Sequence, residues 1–239
     1  MSEILRIEHL TKSYGNKKAV DDLSLTIQSG DLFGFIGHNG AGKTTAIRSA
    51  VGVLDFEQGT ITVDGHSLQD EPLACKQVIA YLPDNPDLYD YLTGIQYLSF
   101  IADIFNVSKL EREERIADYA GRLELTASLG DLIGSYSHGM KQKLALISAF
   151  LHKPRLLVLD EPFVGLDPSA AFRLKEMMKE MCDQGGAIFF STHVLDVAEK
   201  LCSRIGIIKG GKLIACGSTE DVRGDSSLEH AFLEVLDND

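Results

Sequence analysis

The sequence predicts an α/β fold in which a mostly parallel sheet forms the core, with an N-terminal antiparallel β subdomain and an inserted helical subdomain. Three patterns support this prediction. Short β-rich runs come first, helical periodicity follows in the middle, and two apolar runs, each followed by a helical pattern, come after it. Alternation of buried strands with helices is typical of a parallel sheet that is covered on both faces.

The first segment contains strand-like runs that are separated by turn-forming residues. The turn signals Tyr14-Gly15-Asn16 and Asp64-Gly65 lie between or after these runs. We therefore expect an antiparallel-tending N-terminal sheet, built from the runs Ile4–Ile7, Leu23–Ile27, Leu32–Ile36 and Thr60–Val63.

Helical periodicity extends from about Thr93 to His152, with a charged face at Lys109–Arg115. The apolar runs Leu156–Leu159 and Ala187–Phe190 then predict buried parallel strands. The expected organisation is one domain over 1–239. In it, about 1–83 and 155–218 form the β-rich core, 84–154 the helical subdomain and 219–239 an acidic C-terminal tail.

Composition excludes several classes of protein. The 239 residues are 44% hydrophobic and carry a net charge of −12, which disfavours nucleic acid as a partner. Charge-free stretches such as Tyr91–Ala102 are well short of the roughly 18 to 20 apolar residues of a membrane span. The N-terminus lacks the pattern of a signal peptide, and the widely spaced cysteines favour reduced, buried thiols over a zinc site, so a cytosolic chain is expected.

A glycine-rich loop follows the predicted strand Leu32–Ile36 and matches G-x-x-x-x-G-K-[ST] in the strand-to-helix context that this motif requires. Its backbone N–H groups and the next helix N-terminus favour phosphate. Lys43 is expected to reach the terminal phosphates, and the Thr44 hydroxyl to bind Mg²⁺, which takes oxygen ligands. This motif predicts a P-loop NTPase core whose nucleotide-binding residues are Gly37, His38, Asn39, Gly40, Ala41, Gly42, Lys43, Thr44 and Thr45.

Two adjacent carboxylates, Asp160 and Glu161, follow the run Leu156–Leu159, at the strand end where α/β sheets bind ligands. Asp160 is expected to hold Mg²⁺ through its water shell, and Glu161 to polarise an attacking water. His193 follows the run Ala187–Phe190 within Ser191-Thr192-His193. Its imidazole either hydrogen-bonds a γ-phosphate or has a structural role alone.

A Ser-x-Gly turn at residues 137–139 opens an amphipathic helix. The Ser137 hydroxyl and the free N–H groups of the helix suit an anion, but an ordinary N-cap explains the same residues. The residues by themselves favour the cap.

In this order, these residues resemble the ATP-binding subunit of ABC transporters over nearly the whole chain, from about Ile4 to Ser218. The resemblance implies ATP and Mg²⁺ as ligands and an adenine that stacks on Tyr14. It implies that Gly37–Thr45 is the Walker A loop, that Leu156–Glu161 is the Walker B strand, and that Glu161 is the general base.

The resemblance also assigns roles near a second subunit. His193 resembles the switch histidine, and Gly165–Pro168 resembles the D-loop, which places Asp167 at a dimer seam. The turn that opens the helix resembles the signature loop, which binds the γ-phosphate held by the other subunit through Ser137, His138, Gly139 and Met140.

Two departures from the family pattern are visible. The signature is commonly Leu-Ser-Gly-Gly-Gln, whereas Tyr136, His138 and Met140 stand here at three of its positions. The resulting Ser-x-Gly-Met-Lys-Gln form resembles bacterial ATPase subunits that pair with separate exporter-type membrane proteins. Asp84 stands where the family usually has a glutamine that contacts Mg²⁺, so its contact is either kept, lost or mediated by water.

The resemblance implies an ATP-hydrolysing motor subunit that powers a separate membrane permease, with export favoured. Two copies, expected as a homodimer, would face each other head to tail, each ATP lying between Gly37–Thr45 of one chain and Ser137–Gly139 of the other. The chain would then be cytoplasmic and peripheral on the inner face of the cell membrane. The alternatives are an ABC-type ATPase that acts outside transport and a regulatory subunit that binds ATP with little turnover.

Two surface segments each allow two interpretations. Residues 84–93, with Tyr89, Tyr91 and Leu92, form either a docking patch for the permease or a packed loop. The C-terminal residues 213–239 hold seven carboxylates against Arg223, which is half of the net charge of −12. This tail is either a solvated helix or an element that contacts a partner.

Overall fold

The chain folds into two sheets and the helices that cover them, as seen in a computed structural model that describes residues 2–237. The strands are β1 (Glu3–Tyr14), β2 (Lys17–Gln28), β3 (Leu32–Ile36), β4 (Gln58–Val63), β5 (His66–Ser67), β6 (Ile79–Leu82), β7 (Leu156–Asp160), β8 (Ala187–Thr192), β9 (Arg204–Lys209) and β10 (Lys212–Ser218). The helices are α1 (Lys43–Ala50), α2 (Pro72–Val78), α3 (Gly94–Ile104), α4 (Lys109–Arg122), α5 (His138–Leu151), α6 (Pro168–Asp183), α7 (Leu195–Leu201), α8 (Thr219–Arg223) and α9 (Leu228–Asp237).

The smaller sheet is antiparallel, with strand order β2-β1-β4-β5. Its first hairpin pairs Tyr14 with Lys17 across a two-residue turn. Gly15 has φ of +59° in this turn, a conformation that L side chains adopt at a cost. The predicted N-terminal antiparallel sheet is therefore present, with the turn at Tyr14-Gly15-Asn16.

The larger sheet has strand order β10-β9-β3-β8-β7-β6 and is parallel except where β10 pairs antiparallel with β9. Leu32–Ile36 belongs to this sheet, so its predicted place in the antiparallel N-terminal sheet was wrong. All five residues of β3 are buried, because both faces of the larger sheet are covered. A continuous apolar run is the pattern of such a strand, and the mostly parallel core confirms the predicted fold class.

The core divides by side-chain alternation along the central strands. Phe33, Phe35 and Phe189 point to the face that packs against the smaller sheet and α1. Ile36 and Phe190 belong to the opposite cluster, which packs against the helices. Successive side chains of a strand point to opposite faces, so two hydrophobic layers form on one sheet.

Capping fixes the starts of two helices in the middle segment. Thr93 and Ser108 each form a capping box, with Gln96 and Glu111 three residues later. The helices α3, α4 and α5 occupy the segment where helical periodicity was predicted. Within residues 2–237, no helix has the length and apolarity needed to cross a membrane.

The C-terminal segment packs on the rest of the chain. Leu228, Ala231 and Phe232 are buried, and the Leu228 N–H donates to Glu199 on α7 at 2.9 Å. The Phe232 ring centroid lies 5.1 Å from that of His38 in the glycine-rich loop. The C-terminal helix therefore packs one face on the rest of the chain, while its acidic residues Glu229 and Glu234 are exposed.

The cysteines follow the prediction with one difference. All four are free; Cys75, Cys182 and Cys202 are buried, whereas Cys216 is exposed on β10. Burial raises the pKa of the Cys182 thiol to about 12, so it behaves as a small apolar side chain.

Candidate nucleotide-binding site

Three neighbouring parallel strands end at one edge of the larger sheet. In the order β3-β8-β7, Ile36 pairs with Thr192 and Asp160 pairs with Ser191. The residues that follow these strand ends therefore lie side by side, although β3 is more than a hundred residues from β7 and β8 in sequence. Carboxyl ends of parallel strands are the usual ligand edge of an α/β sheet.

The loop between β3 and α1 requires its glycines for close backbone contacts. A Cβ on Gly37 would lie 2.6 Å from the Ile208 carbonyl oxygen, and one on Gly42 would lie 2.3 Å from the Ala19 carbonyl oxygen. Gly42 also has φ of +111° as the N-cap of α1. The loop is thus pressed between β2 and β9, and the first turn of α1 holds no acidic residue. This arrangement suits an anion at the helix N-terminus.

Lys43 turns back into this loop. Its side chain is 7% exposed, and its ammonium donates to the carbonyl oxygens of Gly37 at 2.6 Å and His38 at 3.3 Å. Burial lowers the pKa of Lys43, while Glu161, whose Oε1 lies 3.9 Å from Nζ, and Asp160 oppose that shift. A buried cation at the mouth of a glycine loop matches the charge of phosphate groups.

Asp160 and Glu161 have different surroundings. Asp160 is 2% exposed, and its Oδ1 accepts a hydrogen bond from the Ser191 hydroxyl at 2.5 Å. Glu161 has φ of +50°, an uncommon conformation for a non-glycine residue, and its backbone N–H donates to Ser191 Oγ at 3.1 Å. The structure therefore places both carboxylates at the end of β7, with Ser191 between them.

His193 contacts Glu161 directly. Its Nδ1 donates to Glu161 Oε1 at 2.9 Å, and about half of the His193 side chain is exposed. In this contact the carboxylate oxygen is the acceptor and the imidazole N–H is the donor. Glu161 thus lies between the buried Lys43 ammonium and an exposed imidazole.

A cavity of about 400 Å³ joins most of the predicted positions. Tyr14, Asp84, Asp160 and Glu161 line it together with the residues of the loop, namely His38, Asn39, Gly40, Gly42, Lys43, Thr44 and Thr45. The Tyr14 side chain is 55% exposed, which leaves its ring available to a ligand. The geometry brings these residues to one place.

The cavity also includes residues that the sequence analysis missed: Lys17, Lys18, Ala19, Gly210 and Gly211. The first three follow the hairpin turn after Tyr14, and the glycine pair forms the turn between β9 and β10. A Cβ on Gly211 would lie 2.9 Å from the Ala19 carbonyl oxygen, so these two segments touch. The glycine pair after a strand is a local signal for the turn between β9 and β10. The contact of that turn with Ala19, almost 200 residues earlier, leaves no pattern in the local sequence.

The donors at the cavity fit Mg²⁺ and a nucleotide. The oxygen atoms available include the Thr44 hydroxyl and the carboxylates of Asp160, Glu161 and Asp84. Among the described residues, no group of three His, Cys, Asp or Glu side chains forms a closed metal cage. Few protein ligands and space for water and phosphate oxygens are what Mg²⁺ prefers.

The turn at 137–140 lies apart from this cavity. Of the residues 2–237 that the structure describes, those that line the cavity include none from this turn. Ser137 caps α5, its hydroxyl accepting from the Met140 N–H at 3.3 Å. The N-cap that the residues by themselves favour is therefore present. If this turn also binds an anion, that anion is not one held in the cavity of the same chain.

Residues 161–167 connect the two regions. A Cβ on Gly165 would lie 2.7 Å from the His138 ring, and Gly165 has φ of +80°. Asp167 caps α6 by accepting from the Ala170 N–H, and Lys143 on α5 lies 2.9 Å from its carboxylate. The N–H and the ammonium both lower the pKa of Asp167. The turn at 137–140 is thus in contact with the segment that follows Glu161.

Known proteins resemble the chain over most of its length. The family profile described as ABC transporter matches residues 20–164. The uncharacterized ABC transporter ATP-binding protein YdbJ of Bacillus subtilis (strain 168) is 37% identical over 233 residues, which are 97% of this chain and 74% of that protein. The linearmycin resistance ATP-binding protein LnrL of the same organism is 35% identical over 92% of this chain and 70% of that protein. A solved ATP binding subunit of an ABC transporter superposes with a TM-score of 0.94 at 33% identity, covering 98% of this chain and 99% of that chain.

Proposed function

This chain belongs to the ABC transporter ATP-binding family, and on that premise we propose that it is the ATP-hydrolysing motor subunit of an exporter. The observation that carries the proposal is the contact set around Glu161. Its carboxylate lies at the cavity between the buried Lys43 ammonium and His193, next to Asp160. A carboxylate held there is positioned to accept a proton from a water molecule.

The proposed reaction is hydrolysis of ATP to ADP and phosphate. Glu161 orients a water, whose oxygen forms a bond to the γ-phosphorus while the bond from that phosphorus to the β–γ bridging oxygen breaks. The water proton passes to Glu161 and then to solvent. Lys43 binds the β- and γ-phosphates, the His193 N–H that donates to Glu161 in the free chain turns to the γ-phosphate, and the face of Tyr14 stacks on adenine.

Thr44 and Asp160 are the proposed Mg²⁺ ligands, Asp160 through water. Mg²⁺, when bound, offsets negative charge on the phosphate oxygens. Asp84 lines the same cavity and is exposed. We propose a water-mediated role for Asp84, since its side chain is shorter than the glutamine usual in the family.

Subunits of this family dimerise and pair with membrane permeases. We propose a homodimer in which the turn at 137–140 of one chain, through Ser137, His138, Gly139 and Met140, meets the γ-phosphate held by its partner. The location of this turn outside its own cavity supports that arrangement. Asp167, next to the turn through Lys143, then lies at the dimer seam.

A groove of about 360 Å³ between the larger sheet and the helical segment supports a docking site for the permease, which would hold the chain at the inner face of the membrane. Pro83, Pro86, Leu88, Tyr97 and Phe105 are among its lining residues. Tyr89, which is 45% exposed, packs its ring against Tyr97 and Phe100 at centroid distances of 6.2 and 6.0 Å. Tyr91 is 76% exposed, so the loop combines a packed base with an exposed aromatic edge.

Two observations favour export. Residues 137–142 have the Ser-x-Gly-Met-Lys-Gln form that resembles exporter-type subunits. A relative that is 35% identical is named for linearmycin resistance, and removal of a toxic compound from the cell is one basis of resistance.

Replacing the proposed base tests the enzymatic activity. We expect Glu161→Gln to keep ATP binding, because Lys43 and the glycine loop are unchanged, while phosphate release falls by at least about a hundredfold. The variant should also accumulate as an ATP-bound dimer in size-exclusion chromatography. The control is Glu113→Gln on the exposed face of α4, which should leave the rate unchanged. Normal turnover in Glu161→Gln would exclude Glu161 as the base.

The transport role is tested in the organism that encodes the chain. We expect a tagged chain to co-purify from membranes with a polytopic membrane protein encoded beside it, and disruption of the gene to raise sensitivity to a toxic compound. Impaired uptake of a nutrient after disruption would contradict export. Recovery of the chain without the neighbouring membrane protein would contradict the permease.

A further inference from the structure

The Ser191 hydroxyl forms hydrogen bonds with both carboxylate residues of the site, Asp160 and Glu161. Ser191 lies at the carboxyl end of β8, is fully buried, and pairs with Asp160 across the sheet. Its hydroxyl donates its proton to Asp160 Oδ1 at 2.5 Å and accepts the Glu161 backbone N–H at 3.1 Å. Both hydrogen bonds are internal, and all three residues are on adjacent strand ends.

These two bonds restrict different degrees of freedom. The bond to Asp160 Oδ1 fixes the rotation of a carboxylate that is 2% exposed, and so directs its second oxygen. The bond from the Glu161 N–H holds the peptide of a residue whose φ is +50°. Strained backbone persists where surrounding contacts hold it, and here a side-chain oxygen is one such contact.

Removing the hydroxyl leaves two buried polar groups without their partner. Asp160 Oδ1 would lose a charge-assisted hydrogen bond, and the Glu161 N–H would lose its acceptor. The simplest new pairing is between these two groups, since they are neighbours in sequence. That pairing would turn the Asp160 carboxylate away from the direction it has now.

We propose that Ser191 is a positioning residue that directs Asp160 toward Mg²⁺ and holds the backbone from which the Glu161 side chain projects. This role rests on the proposed ATPase function, because it presumes Mg²⁺ at Asp160 and water at Glu161. Ser191 is fully buried, and its hydroxyl bonds to Asp160 and to the Glu161 backbone. It acts through the two carboxylate residues.

The test compares Ser191→Ala with the wild type in the full-length chain. Affinity for ATP is measured with EDTA and then across a Mg²⁺ titration, followed by phosphate release at saturating Mg²⁺. We expect affinity in EDTA to stay within about twofold, because Lys43 and the loop bind the phosphates. We expect half-saturating Mg²⁺ to rise at least about fivefold and the hydrolysis rate to fall at least about tenfold, as for a lost hydrogen bond to a charged group.

A matched control removes a buried hydroxyl elsewhere. Thr219 is 8% exposed and donates to the Cys202 carbonyl oxygen at 2.7 Å, so Thr219→Val tests loss of a buried hydrogen bond in general. It should lower the melting temperature without changing the Mg²⁺ titration. If Ser191→Ala behaves in the same way, Ser191 is structural and the proposal is overturned.

A second variant keeps the test decisive if Ser191→Ala does not fold. Ser191→Cys keeps a similar size and a weak donor, and the expected Mg²⁺ half-saturation lies between those of the wild type and Ser191→Ala. An unchanged titration in Ser191→Cys together with an unchanged rate overturns the proposal. If the wild type itself does not hydrolyse ATP, the proposed function fails, while the Mg²⁺ dependence of ATP binding still tests Ser191.

Discussion

His152 follows α5, and its ring stacks on Phe105 with a centroid distance of 3.6 Å. Its Nε2 donates to the Ile79 carbonyl oxygen at 3.3 Å. The pKa of His152 is lowered to about 4, chiefly by burial; the nearby Arg115 cation contributes to this shift, and the hydrogen bond to Ile79 opposes it. The unfolded chain, in contrast, protonates this residue at an ordinary pKa of about 6.5.

This difference makes stability depend on pH with a definite sign. Between pH 6.5 and pH 4 the unfolded state binds the proton and the folded state does not, so stability falls as the pH is lowered through that window. We expect the free energy of unfolding to fall between pH 7 and pH 5 by about 2 kcal/mol more in the wild type than in His152→Gln. Urea unfolding at both pH values measures it. The control variant is His230→Gln, at an exposed histidine. If the free energy of unfolding changes equally with pH in the wild type and in His152→Gln, the expectation is contradicted.

At the scale of elements, β3 shows how tertiary context decides which sheet a strand joins. The sequence predicts its apolar run as a strand but groups it with the other N-terminal runs in the antiparallel sheet. Its partners are β8 and β9, which come more than 150 residues later. Helical periodicity and the capping residues of α3 and α4 are local, and these elements were predictable for that reason.

The helix α9 is the element whose packing connects the C-terminus to the site. Phe232 is 6% exposed and contacts the His38 ring, whereas its neighbour Leu233 is 51% exposed. Phe232→Ala should lower the free energy of unfolding by about 3 kcal/mol, because a buried aromatic side chain is lost. Leu233→Ala should change it by less than about 0.5 kcal/mol.

Urea unfolding of both variants measures this difference. An ATP titration of Phe232→Ala then reports whether His38 depends on its ring partner, and we expect a weaker affinity than that of Leu233→Ala. Equal stability losses in the two variants would show that α9 does not pack as described.

For the whole molecule, the separation of the turn at 137–140 from the cavity has a direct consequence. If two chains meet head to tail, each site takes Lys43 from one chain and Ser137 from the other. Lys43→Ala and Ser137→Ala should each have little ATPase activity, whereas a mixture of the two should regain part of the wild-type rate. In mixed dimers one of the sites is built from two unaltered halves.

Phosphate release from the mixed variants measures this complementation. The control mixes Lys43→Ala with the double variant that carries both substitutions, because no intact site can then form. A mixture of the single variants that stays as inactive as its components would contradict the shared site.

The sequence by itself determined the glycine-rich loop, the acidic pair at the end of β7, the helical segment and the fold class. Each of these features depends on residues that are close together along the chain, where spacing and periodicity can be recognised. Only the tertiary structure decided which strands are neighbours, and with them the contacts of Ser191 with Asp160, of Gly211 with Ala19 and of Phe232 with His38. These contacts depend on the order β3-β8-β7 and on packing between distant segments, for which a local pattern carries no signal.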